Sequence, residues 1–132
     1  MSQTPTVLFV CPHNANRSQM AAGYAQHLAE GRLQVRSAGP TPADALNPVA
    51  VQAMAEEGID LSRVEPQLLT EQLVDDSHVV ITLGCADAVP ARPGKRYEDW
   101  VLADPAGRDI GSLRPMRDQI RQRVERLISS LV

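Results

Sequence analysis

Cys11 and Arg17 are the residues of this sequence best placed to do chemistry. They bracket the segment Cys11-Pro12-His13-Asn14-Ala15-Asn16-Arg17, with Ser18 next. A loop of this kind feeding a helix aims backbone N–H groups inward and forms a cradle for an oxyanion. The same field favours a thiolate, so Cys11 reads as a nucleophile near neutral pH. Arg17 adds a planar fork of donors matched to two oxygens of a tetrahedral anion. Ser18 can hydrogen-bond the sulfur, and Asn14 tolerates the left-handed backbone that such a loop needs. Pro12, His13, Asn14, Ala15, Asn16, Arg17 and Ser18 are the expected oxyanion-binding set. The plainer alternative is a buried cysteine beside a helix cap, with an arginine in solvent. The elements on either side of the loop favour the cradle.

Two further residues are candidates for this chemistry. Departure of an oxygen from a tetrahedral anion needs a proton donor, and Asp104, stiffened by Pro105, can supply it from a loop. Asp-Pro is also a common turn start, and taken alone that reading prevails. Cys85, the second of two cysteines, follows Gly84. The three histidines fit no zinc spacing with the cysteines, so no metal site is expected. His13 lies in the loop as an exposed, replaceable position or as an essential one; His27 and His78 show no partner pattern.

The elements that must position these residues are legible in the apolar pattern. Thr6 to Val10 reads as a buried strand. A helix follows with Ser18 as candidate cap, Met20, Tyr24 and Leu28 on one face and Gly31 as its stop. Leu33, Val35 and Ser37 form a second strand. Asn47-Pro48 opens another helix, with Asn47 at the cap. Leu68, Leu69, Leu73 and Val74 suggest a short helix, Val79 to Ile81 a third strand and Arg96 to Trp100 a fourth. From Leu113 to Leu131 apolar residues recur every three or four positions, a long amphipathic helix. Arg114, Arg117, Arg121, Arg123 and Arg126 read as its solvated face. Strands alternating with helices predict a single α/β domain over 1–132: a four-stranded parallel sheet in a three-layer sandwich. Ligands of such sheets bind beyond the carboxyl ends of the strands, where Cys11, Cys85 and Asp104 all fall.

Composition narrows the alternatives. With 132 residues, 43% hydrophobic and a net charge of −3, the chain can bury a core and carries no basic footprint for nucleic acid. Aromatics at 3% argue against a base-stacking surface. No apolar run is long enough to span a bilayer, and the start lacks signal-peptide character, so no membrane association is expected. Two cysteines in that context point to a reducing, cytoplasmic compartment.

In order along the chain stand Val7-Leu8-Phe9-Val10-Cys11-x5-Arg17-Ser18-Gln19-Met20-Ala21, Arg36-Ser37-Ala38-Gly39, Asn47-Pro48, Gly58-Ile59-Asp60, Val80-Ile81-Thr82-Leu83, Gly94 to Trp100 and Asp104-Pro105-Ala106-Gly107. This set resembles the arsenate reductases built on the low-molecular-weight protein tyrosine phosphatase fold, over nearly the whole chain. Ser18-Gln19-Met20 and Asp104-Pro105-Ala106-Gly107 resemble the reductase branch. The phosphatases continue Arg-Ser-Pro and follow Asp-Pro with an aromatic.

The resemblance implies reduction of arsenate through a Cys11 adduct, with Arg17 and the loop amides holding the oxygens and Asp104 protonating the leaving one. Phosphate and sulfate would occupy the same loop, and a weak phosphatase side activity would accompany reduction. Ser18 would steady the thiolate, and Asn14 and Ser37 would brace the loop. The alternative is a phosphotyrosine phosphatase, in which water resolves a phosphocysteine; intact Cys11, Arg17 and Asp104 argue against a merely oxyanion-binding module. No bound cofactor is implied. An external reductant is: thioredoxin, or a low-mass thiol such as mycothiol, bacillithiol or glutathione with its redoxin. A monomer is expected.

Two departures limit the resemblance. Relatives with a three-cysteine relay carry a further cysteine at the position of Val89, so that relay cannot operate here. Some relatives hold potassium with a glutamate where this chain has Ala22, so no ion site is carried over. Cys85 keeps two readings. It is a resolving thiol that forms a disulfide with Cys11, or a half-buried loop cysteine beside a site served by an external thiol.

Overall fold

A computed structural model of the protein describes residues 4–90, 92–102 and 109–131. Asp104 and Pro105 therefore lie outside the described residues. The strands are β1 (Thr6–Val10), β2 (Gln34–Ala38), β3 (Val79–Thr82) and β4 (Arg96–Asp99). The helices are α1 (Arg17–Ala29), α2 (Pro48–Ala55), α3 (Glu71–Asp75) and α4 (Ile110–Leu131).

All strands are parallel in the order β2-β1-β3-β4, so the sheet and its three layers are as the alternation predicted. β1 is central because all five of its residues are buried. Val7, Phe9, Val79 and Ile81 face a core shared with Met20, Tyr24, Met54, Leu113, Ile120 and Val124 from α1, α2 and α4. Leu8, Val10 and Val80 face the opposite, thinner layer, where Val74 of α3 packs. The connection from β1 runs to β2 on one side, and that from β3 runs to β4 on the other. The crevice beyond the carboxyl end of β1 is thus the switch point of the sheet.

Three local expectations need correction. Ser18 does not cap α1: the cap position is Asn16, whose side chain makes no capping bond, and Ser18 is fully buried within the first turn. Leu68 and Leu69 precede α3, which Thr70 caps by accepting from the Leu73 N–H. Their backbone instead flanks Gly39, whose N–H donates to Gln67 O and whose carbonyl accepts from Leu69 N. The arginines of α4 are not simply a solvated face. Arg117 is buried, donating to Ala53 O and to Glu56 Oε1 at 2.7 Å.

Those arginines answer an electrostatic problem. Glu56 and Glu57 stand at the C-terminal end of α2, where the helix dipole disfavours a negative charge. Arg114 grips Glu56 with two bonds of 3.0 and 2.6 Å, and Arg121 reaches Glu57 at 3.3 Å. The buried Tyr24 hydroxyl donates to Glu57 at 3.0 Å, so one charged cluster joins α1, α2 and α4. Burial, then the bond to Glu57, pushes the Tyr24 phenol up.

The bonds from Arg114 and Arg117 pull the Glu56 carboxyl from 4.5 to about 2. A carboxyl depressed by folding stabilises the native state fully above its ordinary range and loses that contribution as pH falls toward the folded value. Urea denaturation of the wild type and Glu56→Gln should therefore differ most at pH 6 to 7. The gap should close between about pH 4.5 and pH 2; a gap that is constant with pH would refute the assignment.

Candidate active site

The segment after β1 closes into a loop around its own amide hydrogens. The carbonyls of Pro12, His13 and Ala15 accept the N–H groups of Thr41, Ala43 and Asn47, each at 3.0 Å. Asn16 O accepts from Met20 N at 2.9 Å, and Asn14 O from the Gln19 side chain at 3.1 Å. With these carbonyls engaged, none of the N–H groups from His13 to Ser18 donates to another backbone group among the described residues. The loop opens onto the N-terminus of α1, adding that helix's field to the free donors. Pro12 has no N–H, and its carbonyl is held by Thr41 N and Oγ1, so it shapes the loop and donates nothing. This corrects its place in the oxyanion-binding set.

Cys11 sits at the floor of the loop, 2% exposed. Its Sγ lies 2.9 Å from Ser18 Oγ, which also accepts from Asn14 Nδ2 at 2.8 Å. Asn14 takes the left-handed conformation, with φ of 51°, and is completely buried. Arg17 is nearly buried, and its Nε has no acceptor among the described residues. Its Nη1 points toward Leu102 O at 3.5 Å. Cys11, Asn14, Arg17 and Ser18 are thus brought together as expected.

Two glycines permit the close approaches. A Cβ on Gly39 would lie 2.5 Å from Cys11 O and 2.9 Å from Asn14 N. The backbone after β2 therefore presses directly on the loop. A Cβ on Gly84 would lie 3.0 Å from Arg17 Nη1, and its φ of +91° independently favours glycine. Gly84 lets the turn after β3 lie against the guanidinium and brings Cys85 to the same edge. Cys85 is half-buried and packs against the cluster of Leu8, Val10, Ala38, Val74 and Val80, as Leu69, Leu73 and Val89 do. Burial first, and the neighbouring Cys11 second, pushes its thiol up to about 11.

Ser37 does not brace the loop by a hydrogen bond among the described residues. It pairs with Phe9 across the sheet, half-buried. Asn14 Oδ1 is held instead by Gln19 Nε2 at 3.0 Å and by the Gln67 N–H at 2.8 Å. Gln67 stands in no sequence motif, and Gln19 and Gly39 stand only within Ser18-Gln19-Met20 and Arg36-Ser37-Ala38-Gly39, with no role of their own. The available signal for Gln19 was a polar side chain directly between Ser18 and the apolar Met20-Ala21 of the helix start. His13 is exposed at the rim, its Nδ1 3.0 Å from Thr41 O. His78 accepts the Thr6 N–H at 2.9 Å, a structural use. Among the described residues no cluster of His, Cys, Asp or Glu could hold a metal ion, and no helix is long and apolar enough to cross a membrane.

The family model described as low molecular weight phosphotyrosine protein phosphatase matches residues 6–132. A Synechocystis protein named glutaredoxin arsenate reductase is 38% identical over 128 residues, 95% of this chain and 97% of that protein. A Corynebacterium glutamicum thioredoxin-dependent arsenate reductase superposes with a TM-score of 0.87 at 38% identity. That alignment covers 98% of this chain, which spans 63% of the length of the corynebacterial one. An arginine phosphatase from Geobacillus stearothermophilus superposes with a TM-score of 0.85 at 25% identity, covering 96% of this chain and 92% of that one.

Gly39→Ala tests the contact beneath the loop. Its new methyl meets backbone that cannot rotate away, so we expect a loss of about 1–3 kcal/mol in denaturant unfolding. Phosphate binding, followed by calorimetry, should weaken at least tenfold. Wild-type stability and binding in that variant would show the approach to be slack.

Proposed function

We propose that this chain, which belongs to the low molecular weight phosphotyrosine protein phosphatase family, is an arsenate reductase working through a Cys11 thiolate–arsenate adduct. The observation that carries this reading is the anion cradle with its sulfur. The N–H groups of the loop are free to face an oxyanion, and Cys11 Sγ lies at its floor beside Ser18 Oγ. The 38% identity to a protein named arsenate reductase over nearly its whole length favours arsenic chemistry over phosphate hydrolysis. A second thiol on the same edge suits a reductase, which needs two sulfurs to deliver two electrons.

The amides and Arg17 hold three arsenate oxygens while Cys11 Sγ attacks arsenic. An S–As bond forms, an As–O bond breaks, and the oxygen leaves as water. On sequence grounds alone we assign its proton to Asp104. Cys85 then attacks Cys11 Sγ. The S–As electron pair stays on arsenic, which passes from As(V) to As(III), and the two sulfurs are left as a disulfide. Cys85 gives up its proton in this step, and arsenite carries away the oxygens. An external dithiol protein of the thioredoxin class, or a low-mass thiol with its redoxin, returns the disulfide to thiols. Phosphate fits the same cradle, so slow hydrolysis of aryl phosphates accompanies reduction.

Cys85 stays protonated until it is needed, because burial and the adjacent Cys11 sulfur both oppose its ionisation. With its thiol at about 11 rather than 9.0, the thiolate fraction at pH 8 falls about 100-fold. In Cys11→Ser, where burial still acts, iodoacetamide should modify Cys85 at pH 8 some ten- to a hundredfold more slowly than free cysteine. A rate equal to that of free cysteine would place Cys85 in solvent.

The deciding experiment is single turnover with excess arsenate and no added reductant, followed by mass spectrometry and arsenite assay. One arsenite and one Cys11–Cys85 disulfide per chain are expected. Cys11→Ser should give neither, and Asp104→Asn should slow the step about 10²- to 10⁴-fold. Arsenite release by Cys85→Ser with a low-mass thiol, and no disulfide in the wild type, would transfer resolution to the external thiol. Aryl phosphate turnover without any arsenite would leave the phosphatase reading in place.

A further inference from the structure

Ser18 can help a thiolate only if its single hydroxyl hydrogen points at the sulfur. A serine in the first turn of a helix has a competing acceptor, the carbonyl four residues back. For Ser18 that carbonyl belongs to Asn14. The Asn14 side chain is a second rival, since its amide would accept from Ser18 if its oxygen and nitrogen were exchanged.

Gln19 removes the first rival and, together with the Gln67 N–H, the second. Gln19 is 2% exposed, and its Nε2 donates to Asn14 O at 3.1 Å and to Asn14 Oδ1 at 3.0 Å. The first bond occupies the backbone acceptor. The second joins the Gln67 N–H, 2.8 Å from the same Oδ1, so two donors converge on one face of the Asn14 amide. That face must be oxygen. Nδ2 is thereby turned to Ser18 Oγ, 2.8 Å away, and Ser18 accepts. Its hydrogen is left for Cys11 Sγ at 2.9 Å, in a place closed to water because Ser18, Asn14 and Cys11 are all buried.

We propose that Gln19 is a positioning residue: its two amide hydrogens fix the direction of the Gln19–Asn14–Ser18–Cys11 chain so that Ser18 donates to the nucleophile. This rests on Cys11 being the nucleophile of the proposed reaction, although the arrangement itself requires only an anionic sulfur. A gain of this kind comes from polarity rather than packing. It therefore separates from a structural role when shape is kept and hydrogens are lost.

The test uses the full chain with Cys85→Ser in every arm, so that Cys11 is the sole thiol. Iodoacetamide alkylation is followed from pH 5 to 9 for the parent, Gln19→Met, Gln19→Glu and Ser18→Ala. Gln19→Met keeps the length and adds no charge but donates nothing. Gln19→Glu sets a carboxylate against both Asn14 oxygens and drives the amide to turn over.

We expect Ser18→Ala and Gln19→Glu each to move the rate–pH curve toward alkaline pH and to lower the rate at pH 7 about tenfold, with Gln19→Met falling between. In the Ser18→Ala background, Gln19→Met should have no further effect, since the hydrogen it steers is gone. Should Gln19→Glu fail to fold, the Gln19→Met pair with and without Ser18 decides alone. Parent-like curves for Gln19→Met, or an equal shift whether or not Ser18 is present, would overturn the proposal. Alkylation requires no arsenate, so absent arsenite release by the wild type would sink the reductase reading without touching this one.

Discussion

Turning a stretch of backbone so that its N–H groups face inward leaves every carbonyl of that stretch facing outward, and each of those needs a partner. This requirement organises the protein around the segment from Cys11 to Ser18. The carbonyls from Pro12 to Ala15 are met by Thr41, Ala43, Gln19 and Asn47. The segment after β2 is therefore a clamp on the anion loop as well as a connection to α2. Asn47 shows the economy of the arrangement. Its N–H holds the loop through Ala15 O while its side chain caps α2 by accepting from Val49 N at 2.9 Å.

The clamp works only at very short range, and short range excludes side chains. At Gly39 and Gly84 an added Cβ would come within about 3 Å of the loop or its arginine. One sits after β2 and the other after β3, the strands on either side of β1. The switch point in the sheet is thus where two neighbouring connections can both fold back over a third. That geometry encloses Cys11 and Arg17 while leaving Cys85 half-buried at the rim. The two sulfurs consequently differ in environment. One lies in a nest of donors beside a helix N-terminus, and the other at the edge of the apolar cluster of Leu8, Val10, Ala38, Val74 and Val80 with its thiol pushed up. A reaction that uses two thiols in sequence needs such an asymmetry, because two adjacent thiolates would repel.

Away from the site, the cluster of Glu56, Glu57, Tyr24 and the α4 arginines holds α1 against α2 and α4. Because α1 begins at Arg17, whatever fixes α1 also fixes the cradle. Phe9 and Trp100, with ring centroids 5.9 Å apart, serve the same end beneath β1.

The sequence by itself determined the elements and the loop that carries Cys11 and Arg17. Apolar runs such as Thr6–Val10, and the recurrence from Leu113 to Leu131, encode strand and helix through a local period that needs no partner to be read. Cys11 and Arg17 were legible because their spacing within one loop is also local, and Asn47-Pro48 because a cap is set by the next few residues. Tertiary structure decided everything that depended on residues distant in sequence meeting at short range. That Gln67, fifty-three positions away, would help set the orientation of the Asn14 amide follows from strand order, not from any pattern near Asn14. Ser18 looked like a helix cap because serine at a helix start usually is one. Burial beside a sulfur, with Asn14 and Gln19 directing its hydrogen, gave it a different partner. Arg117 likewise read as a solvent residue until the carboxylate of Glu56 was packed against it. In each case a polar group, once removed from water, took its role from whichever partner the fold delivered.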